Sequence, residues 1–117
     1  MLGDFEAARA DFEHALQAAR VERDANAEWQ ALLDLGALWA ARDYDRTGDY
    51  FQQALAAART LGDAAVLAQS LNRVGNWYVN VERSDEALRY HSEALEIFEQ
   101  LGDRPGLAQS YDLLGTA

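Results

Sequence analysis

An internal repeat of about 40 residues runs through this chain, which has 117 residues in all. Residues 54–75 match residues 94–115 at 10 of 22 positions. An earlier copy lies upstream of the middle one and aligns Phe12 with Phe51. A unit of this length cannot bury its apolar face alone, so neighbouring copies must stack and share a core. Because no Pro-rich or Ser-rich linker separates the copies, the sequence predicts one domain over residues 1–117.

The apolar spacing within each copy is helical. Leu71, Val74 and Tyr78 follow one another at intervals of 3 and 4 residues, and no run alternates with a period of two. Gly62 suits the left-handed residue just past a helix end, and Asp63 suits the N-cap of the next helix. Six helices are predicted, over residues 4–22, 25–41, 46–61, 64–80, 84–101 and 104–115. Their short connections make neighbours antiparallel, so the predicted fold is an all-α solenoid of helix pairs.

Two patterns recur in these helices and carry a family resemblance. The first is Leu32-x2-Leu35-Gly36-x2-Trp39, repeated as Leu71-x2-Val74-Gly75-x2-Tyr78 and, in part, as Tyr111-x2-Leu114-Gly115. The second is Ala8-x3-Phe12-x2-Ala15, repeated as Thr47-x3-Phe51-x2-Ala54 and Ala87-x3-His91-x2-Ala94. Together they resemble the first and second helices of the tetratricopeptide repeat. The resemblance implies a right-handed superhelical segment made of three partial repeats.

The period departs from the usual family length. It is about 39 to 40 residues here, against about 34 in the common pattern, so each helix pair is about one turn longer. Repeats of this length resemble those of maltose-regulator-type bacterial signalling ATPases, Pins-type polarity adaptors and kinesin light chains. The resemblance implies an adaptor or sensor arm, because the repeated motif specifies helix packing and carries no catalytic group.

In this family ligands usually lie along the concave surface formed by the first helices, which directs attention to the polar side of each. On the middle first helix we expect that side to carry Gln69, Asn72, Arg73, Asn76 and Asn80. On the flanking first helices the candidate groove residues are Gln30, Leu33, Gln109 and Asp112. Amide side chains both donate and accept, so they can pair with a peptide backbone of any sequence. The alternative interpretation is a solvated helix face.

The charge balance excludes some partners. The chain has 20 Asp and Glu against 10 Lys and Arg, a net charge of -10, which opposes binding to nucleic acid and to anionic membranes. All ten basic residues are arginine, which is typical of a GC-rich, bacterial genome. The N-terminus has acidic residues where a signal peptide needs basic ones, and no apolar run approaches about 18 residues. The sequence therefore predicts a soluble, cytoplasmic protein.

Neither a metal site nor a catalytic site is expected. Residues 43–48 imitate the start of a calcium loop, but Ala54 stands where that loop requires a bidentate Glu. His14 and His91 lack metal-ligand spacing, and we expect His91 to be a packed side chain whose ring nitrogens are satisfied locally. No nucleophile has an obvious base nearby. The sequence predicts no metal, no cofactor and no enzyme activity.

Two functions remain open at this point. The first is a protein-interaction module that binds a peptide or protein surface in the concave groove. The second is a sensor segment of a bacterial signalling ATPase or transcription regulator, which binds a small effector or a partner domain. The chain starts and stops in mid-repeat, so we expect a segment of a longer array. Its terminal helices should expose apolar surface, which allows self-association.

Overall fold

The part of the chain that the structure describes consists of helices joined by short turns. A computed structural model gives the backbone from residue 2 to residue 102 and the side chains from residue 4 onward. Its helices are α1 (Leu2–Glu22), α2 (Ala25–Trp39), α3 (Tyr44–Leu61), α4 (Ala64–Asn80) and α5 (Ser84–Leu101). The sixth predicted helix, over residues 104–115, lies outside the described residues. The other five predictions are confirmed, with every end within two residues of the expected one.

Helix α1 begins two residues before its predicted start, and the other two differences from the predicted ends lie at the turn between α2 and α3. Helix α2 ends at Trp39, because the amides of Arg42 and Asp43 both donate to the Trp39 carbonyl, at 2.9 and 2.8 Å. Helix α3 begins two residues earlier than expected, at Tyr44. The Asp43 carboxylate accepts from the Arg46 amide at 3.4 Å and so satisfies a free donor of the first turn.

Aspartate side chains also cap the N-termini of α2 and α4. Asp63 accepts hydrogen bonds from the amides of Ala65 and Val66 at 3.0 and 3.2 Å, which confirms it as the N-cap of α4. Asp24 has the same role for α2 and accepts from the Ala27 amide at 3.1 Å. These caps define where each first helix begins.

Within residues 2–102, four residues at helix ends adopt the left-handed conformation. Gly62 and Gly102 have φ angles of 74° and 68°, which confirms the prediction that Gly62 ends a helix. Arg23 and Glu82 adopt the same conformation, with φ angles of 56° and 63°. Neither is a residue type that favours positive φ, so the sequence pattern did not point to them.

The chain divides into two compact units, Met1–Leu61 and Gly62–Ala117. In the first unit α2 packs against both α1 and α3. One buried cluster of these three helices consists of Leu16, Ala31, Leu32, Leu33, Leu35 and Ala54. Ala19, Leu55 and Ala58 are buried as well. In the second unit α4 packs against α5. The buried apolar residues of that pair are Ala68, Leu71, Val74, Ala87, Ala94 and Phe98.

Glycine brings the two helices of each pair into close contact. A Cβ atom on Gly36 would lie 2.6 Å from Cε1 of Phe51, and one on Gly75 would lie 2.6 Å from Cε1 of His91. Carbon atoms do not approach so closely, so a larger residue would force the helices or the rings to move. The Thr47 hydroxyl donates a buried hydrogen bond to the Gly36 carbonyl at 2.8 Å. The glycine of the first pattern therefore meets the ring position of the second.

These contacts confirm the all-α fold of antiparallel helix pairs within residues 2–102. The right hand of the superhelix stays a prediction, as does the single domain over residues 1–117. Each pair places its first helix, α2 or α4, so that one side is buried and the opposite side is accessible. The accessible sides of these two helices are where the predicted groove residues of α2 and α4 are expected to lie.

Candidate functional site

A row of polar side chains lies on the accessible side of α4. It consists of Gln69, Arg73, Asn76 and Asn80, which we call the α4 stripe. The four follow one another at intervals of 4, 3 and 4 residues, so they share one side of the helix. Asn76 is half-buried and the other three are exposed. The opposite side of α4 is buried against α5, so the stripe is held on a packed and capped helix.

The structure removes Asn72 from the predicted groove. Its side chain is only 2% exposed, and the Nδ1 atom of His91 lies 2.8 Å from its Oδ1 atom. An amide oxygen only accepts, so His91 donates this hydrogen bond. Asn72 lies about 60° around the helix from Gln69, on the flank that turns toward α5. The prediction that Asn72 belongs to a groove surface is therefore wrong.

Leu33 is the second residue that was assigned to the wrong side. It is 7% exposed and belongs to the core of the first unit, against which Phe51 packs. Leu33 precedes Gly36 by three residues, as Asn72 precedes Gly75, so the two errors fall on the same repeat position. That position turns toward the ring of the second helix.

The accessible side of α2 carries Gln30, which is exposed as predicted. Its amide donates to the Asp34 carboxylate at 3.1 Å. Gln30 and Gln69 occupy the same repeat position, and so do Asp34 and Arg73. The two first helices therefore share a glutamine and carry opposite charges four residues later. The predicted groove residues at 109 and 112 lie outside the described residues.

Arg73 gives the α4 stripe a positive charge. The Arg73 side chain is exposed, and no carboxylate of the described part of the chain forms an ion pair with it. A guanidinium offers five donors in a planar arrangement that matches a carboxylate. In a chain of net charge -10, such an arginine on an amide-rich surface favours a partner that brings an anionic group.

His91 is a buried ring between α4 and α5. It is 0% exposed and its face covers Gly75. Burial disfavours the charged imidazolium and lowers the pKa of His91 below its usual value of 6.5. The Nδ1 atom is satisfied by Asn72, but among the described residues the Nε2 atom has no hydrogen-bond partner. The prediction of a packed histidine is therefore confirmed, and that of two satisfied ring nitrogens is wrong.

Aromatic and arginine side chains cluster at the turn between α2 and α3. The Trp39 ring meets Phe5 edge to face, with centroids 5.0 Å apart. The Arg42 guanidinium lies 3.9 Å from the Phe5 centroid, and that of Arg46 lies 4.5 Å from the Trp39 centroid. These contacts join the start of α1 to the α2–α3 turn. They make Trp39 part of the packing within the first unit, as its motif position predicts.

The sequence did not predict a cleft that lies between α1 and α3, above α2. Its volume is about 340 Å³. The Arg20 guanidinium donates to Glu28 at 3.2 Å and to the Gln53 side chain at 3.4 Å, so one arginine links all three helices. The remaining lining residues are Leu32, Ala56, Ala57 and Thr60. Because these residues are distant in sequence, only the repeat alignment, which pairs Arg20 with Arg59, could have drawn attention to this place.

Residues 43–48 adopt a structure unlike that of a calcium loop. Helix α3 begins at Tyr44, and Thr47 and Gly48 are buried in it. Among the described side chains there is no group of three or more His, Asp or Glu residues that could hold a metal ion. Similarly, none of the helices within residues 2–102 is both long and apolar enough to cross a membrane.

Two comparisons with known proteins bear on these surfaces. A family model described as tetratricopeptide repeat matches residues 36–100 and, in an overlapping placement, residues 66–117. The two matches together cover residues 36–117, well over half of the chain. No curated protein matches the chain. The matched span includes the whole of α4, and therefore the α4 stripe and the buried contact between Asn72 and His91.

Proposed function

The chain belongs to the tetratricopeptide-repeat family, and from this premise we propose that it binds a peptide or protein surface along the α4 stripe. Repeats of this family generally mediate protein–protein interaction and are typically a non-catalytic scaffold. The particular partner surface is our proposal, and so is the absence of enzyme activity. The subclass of long repeats expected from the length of the period stays a prediction.

One observation carries this proposal. The side of α4 opposite its buried face presents Gln69, Arg73, Asn76 and Asn80 in a single row. Three of these four side chains are amides, which both donate and accept hydrogen bonds, so they suit the backbone groups of a bound peptide. Asn also has low helix propensity, roughly 0.5 kcal/mol worse than Ala. A helix that only needed solubility would be better served by Glu or Arg at these positions.

Rigidity supports the same function. Helix α4 is capped by Asp63 and packed against α5 through Gly75, so the spacing of the stripe is set before a partner arrives. A preorganised receptor loses little conformational entropy on binding. Most of the conformational entropy lost on binding is then lost by the partner. This suits a short peptide that becomes extended or helical when it binds.

Charge narrows the class of partner. Arg73 on α4 favours an anionic side chain, whereas Asp34, at the same repeat position on α2, favours a cationic one. Charged groups at such positions act mainly on specificity and on the rate of association. We therefore expect a peptide that carries an acidic residue where it meets α4.

Selection of peptides from a random display library tests this proposal directly. The bait is the whole chain, and the selected peptides are then measured by isothermal titration. The double variant Arg73→Ala with Asn76→Ala should bind them at least about tenfold more weakly, which corresponds to about 1.4 kcal/mol. The variant should keep the unfolding midpoint of the parent, because Arg73 is exposed and Asn76 is only half-buried.

The matched control is Arg89→Ala, which removes an exposed arginine from α5. It changes the net charge as Arg73→Ala does but leaves the α4 stripe intact. Selected peptides should bind this control as tightly as the parent chain. The α4 stripe would be rejected as the binding surface if the selected peptides bound the parent and the stripe variant equally tightly. It would also be rejected if Arg89→Ala weakened their binding as much as the stripe variant does.

A sensor function has one observation in its favour, the cleft between α1 and α3. Its volume of about 340 Å³ falls within the usual range of small-molecule sites, roughly 300 to 1,000 Å³. Thermal-shift screening of the chain against a library of small metabolites tests this alternative. Compounds that raise the unfolding temperature should lose their effect with Ala56→Phe, which fills the cleft from an exposed position. Compounds unaffected by that change would exclude the cleft.

The setting of the protein is part of the same proposal. A cytoplasmic location, a bacterial origin and a role in signal transduction were expected from the composition and from the repeat length, and they stay predictions. The two candidate functions use different surfaces, so the peptide and thermal-shift experiments can succeed or fail separately.

A further inference from the structure

The cleft between α1 and α3 carries one positive and one negative side chain next to each other. The Nε atom of Arg20 donates to the Oε2 atom of Glu28 at 3.2 Å, and the Nη2 atom of Arg20 donates to Gln53 at 3.4 Å. Within the part of the chain that the structure describes, neither Nη1 of Arg20 nor Oε1 of Glu28 forms a hydrogen bond. Both charged groups therefore keep hydrogen-bonding capacity for a ligand.

Glu28 is an exception within the repeat. The two later copies have Leu67 and Leu107 at its position, whereas Arg20 recurs as Arg59. The repeat therefore does not require a carboxylate at this place. The Glu28 side chain is 32% exposed and that of Arg20 is 46% exposed, and an ion pair so accessible to water contributes little to stability. Recognition of a ligand explains this charge pair better than folding does.

Small side chains leave space beside the charge pair. The wall that α3 contributes includes Ala56 and Ala57, whereas α5 carries Glu96 and Ile97 at these repeat positions. The buried side chain of Leu32 also lines the cleft, which has a volume of about 340 Å³. A small molecule in this volume can contact the apolar residues and the charge pair together.

The remaining polar groups extend the same division between donor and acceptor. The Thr60 hydroxyl donates its proton to the Ala57 carbonyl at 2.8 Å, so towards a ligand its oxygen can only accept. The Gln53 oxygen accepts from Arg20, which leaves its amide protons to donate. Acceptors for a cationic group are thus supplied by Glu28 and Thr60, and donors for an anionic group by Arg20 and Gln53.

We propose that the cleft between α1 and α3 binds a free α-amino acid that has an apolar side chain. The ligand carboxylate pairs with Arg20 and its ammonium group pairs with Glu28. These two ligand groups are joined through a single carbon atom, so they are close neighbours, as Arg20 and Glu28 are. The ligand side chain lies against Leu32 and the two alanines of α3. A ligand with one charge only would leave one member of the pair without a partner and be repelled by the other.

This inference rests on the sensor function, for which it names the class of effector, and it does not depend on the α4 stripe. The ligand would contact α1, α2 and α3 at once. Helices α1 and α3 each pack on α2, with no close approach between their own backbones. Binding would therefore join two helices that otherwise meet mainly through α2, and it should raise the unfolding temperature.

Isothermal titration of the whole chain with L-alanine, L-valine, L-leucine and L-methionine tests the proposal. The tightest of the four should have a dissociation constant below about 1 mM. Three comparison compounds each lack one group of that ligand: for leucine they are 3-methylbutylamine, 4-methylpentanoate and glycine, which lack the carboxylate, the ammonium group and the side chain. Each should bind at least about tenfold more weakly.

Two variants assign the contacts. Glu28→Gln should remove the advantage of the amino acid over the acid that lacks its ammonium group. Arg20→Gln should remove its advantage over the amine that lacks its carboxylate. A variant that had only lost its fold would weaken all of these compounds alike. Glu22→Gln and Arg89→Gln make the same changes of charge at exposed positions outside the cleft, and these matched controls should bind as the parent does.

Three results would overturn the proposal. The first is a dissociation constant above about 1 mM for all four amino acids. The second is a comparison compound that binds the parent as tightly as the amino acid does. The third is amino-acid binding that persists unchanged in Glu28→Gln, in Arg20→Gln or in Ala56→Phe. If one of these results occurs and the metabolite screen finds a different compound whose effect Ala56→Phe removes, the amino-acid assignment fails while the sensor function stands.

Discussion

The buried pair of Asn72 and His91 should be exchangeable for the apolar pair that the first unit holds at the same place. Asn72 and Leu33 share one repeat position, and His91 and Phe51 share another. In the first unit a phenyl ring already lies over Gly36 in the manner of the imidazole over its glycine. The double change Asn72→Leu with His91→Phe therefore converts one pair into a combination that this fold accommodates.

The single changes should each be costly. Asn72→Leu removes the oxygen that accepts the hydrogen bond from His91. In the folded protein the Oδ1 atom of Asn72 lies 2.8 Å from the Nδ1 atom of His91, and both side chains are buried. His91→Phe leaves the Asn72 amide without that donor. An unsatisfied buried polar group costs about 1 to 3 kcal/mol, whereas replacing both partners by apolar groups of similar shape is nearly neutral. The loss of unfolding free energy in the double variant should therefore be smaller, by about 2 kcal/mol or more, than the sum of the losses in the two single variants.

Urea unfolding at about pH 7.5, followed by circular dichroism, measures this coupling through the four midpoints of a double-mutant cycle. With a urea dependence of about 2 kcal/mol per molar, a change of about 2 kcal/mol moves the midpoint by about 1 M. Arg89→Ala on the exposed face of α5 is the control and should change stability by less than about 0.5 kcal/mol. Single costs that simply add in the double variant would refute the reasoning, because they would show that the two side chains do not depend on each other.

Three further predictions concern the same helix pair. Burial lowers the pKa of His91 below 6.5 in the folded protein, so the unfolded protein binds a proton at His91 more readily than the folded one. The stability that His91 contributes should therefore be complete above about pH 6.5 and decrease as the pH falls below that value. In urea midpoints measured between about pH 8 and pH 5, His91→Phe should remove this pH-dependent part of the stability. Gly75→Ala would place a Cβ atom 2.6 Å from the His91 ring and should lower stability by about 1 to 3 kcal/mol; an unchanged urea midpoint would contradict the close packing. Asp63→Ala removes the cap bonds to Ala65 and Val66 and should cost about 0.5 to 2 kcal/mol, whereas Asp63→Asn should restore most of the loss in the same measurement.

Much of the fold could be predicted from the sequence because the helix packing recurs with the period of the repeat. The two patterns predict that a glycine of each first helix lets the second helix approach closely. The structure adds which side chain meets it: a Cβ atom built on Gly36 would lie 2.6 Å from the Phe51 ring, and one built on Gly75 would lie 2.6 Å from the His91 ring. Turn ends were also predictable where Gly or Asp marks them, as at Asp63. They were not predictable at Arg23, which adopts positive φ because the chain must turn there.

The candidate surface was harder to predict because periodicity alone does not say where the second helix lies. Asn72 follows Gln69 by three residues, and residues at this interval can share one face of a helix. The same interval also turns the Asn72 side chain about 60° around the helix axis from the Gln69 side chain. At that offset the side chain reaches the neighbouring helix, and Asn72 is buried by it. A polar residue at such a position is ambiguous in sequence, since a buried polar pair and a solvated stripe have the same composition. The partner of Asn72, His91, is 19 residues away.

Once this position is reassigned, the first helices have one polar position that is constant and one that varies, which bears on the proposed function. Six residues before the glycine, every copy has glutamine, as Gln30, Gln69 and Gln109. Two residues before the glycine, the copies differ, with Asp34, Arg73 and Leu113. An amide that recurs in every repeat suits what all peptides share, which is a backbone of donors and acceptors. A position that is acidic, basic or apolar in different copies suits recognition of peptide side chains, which differ from one peptide to another. Selectivity among peptides should therefore depend on this position, and affinity for peptides in general on the glutamines.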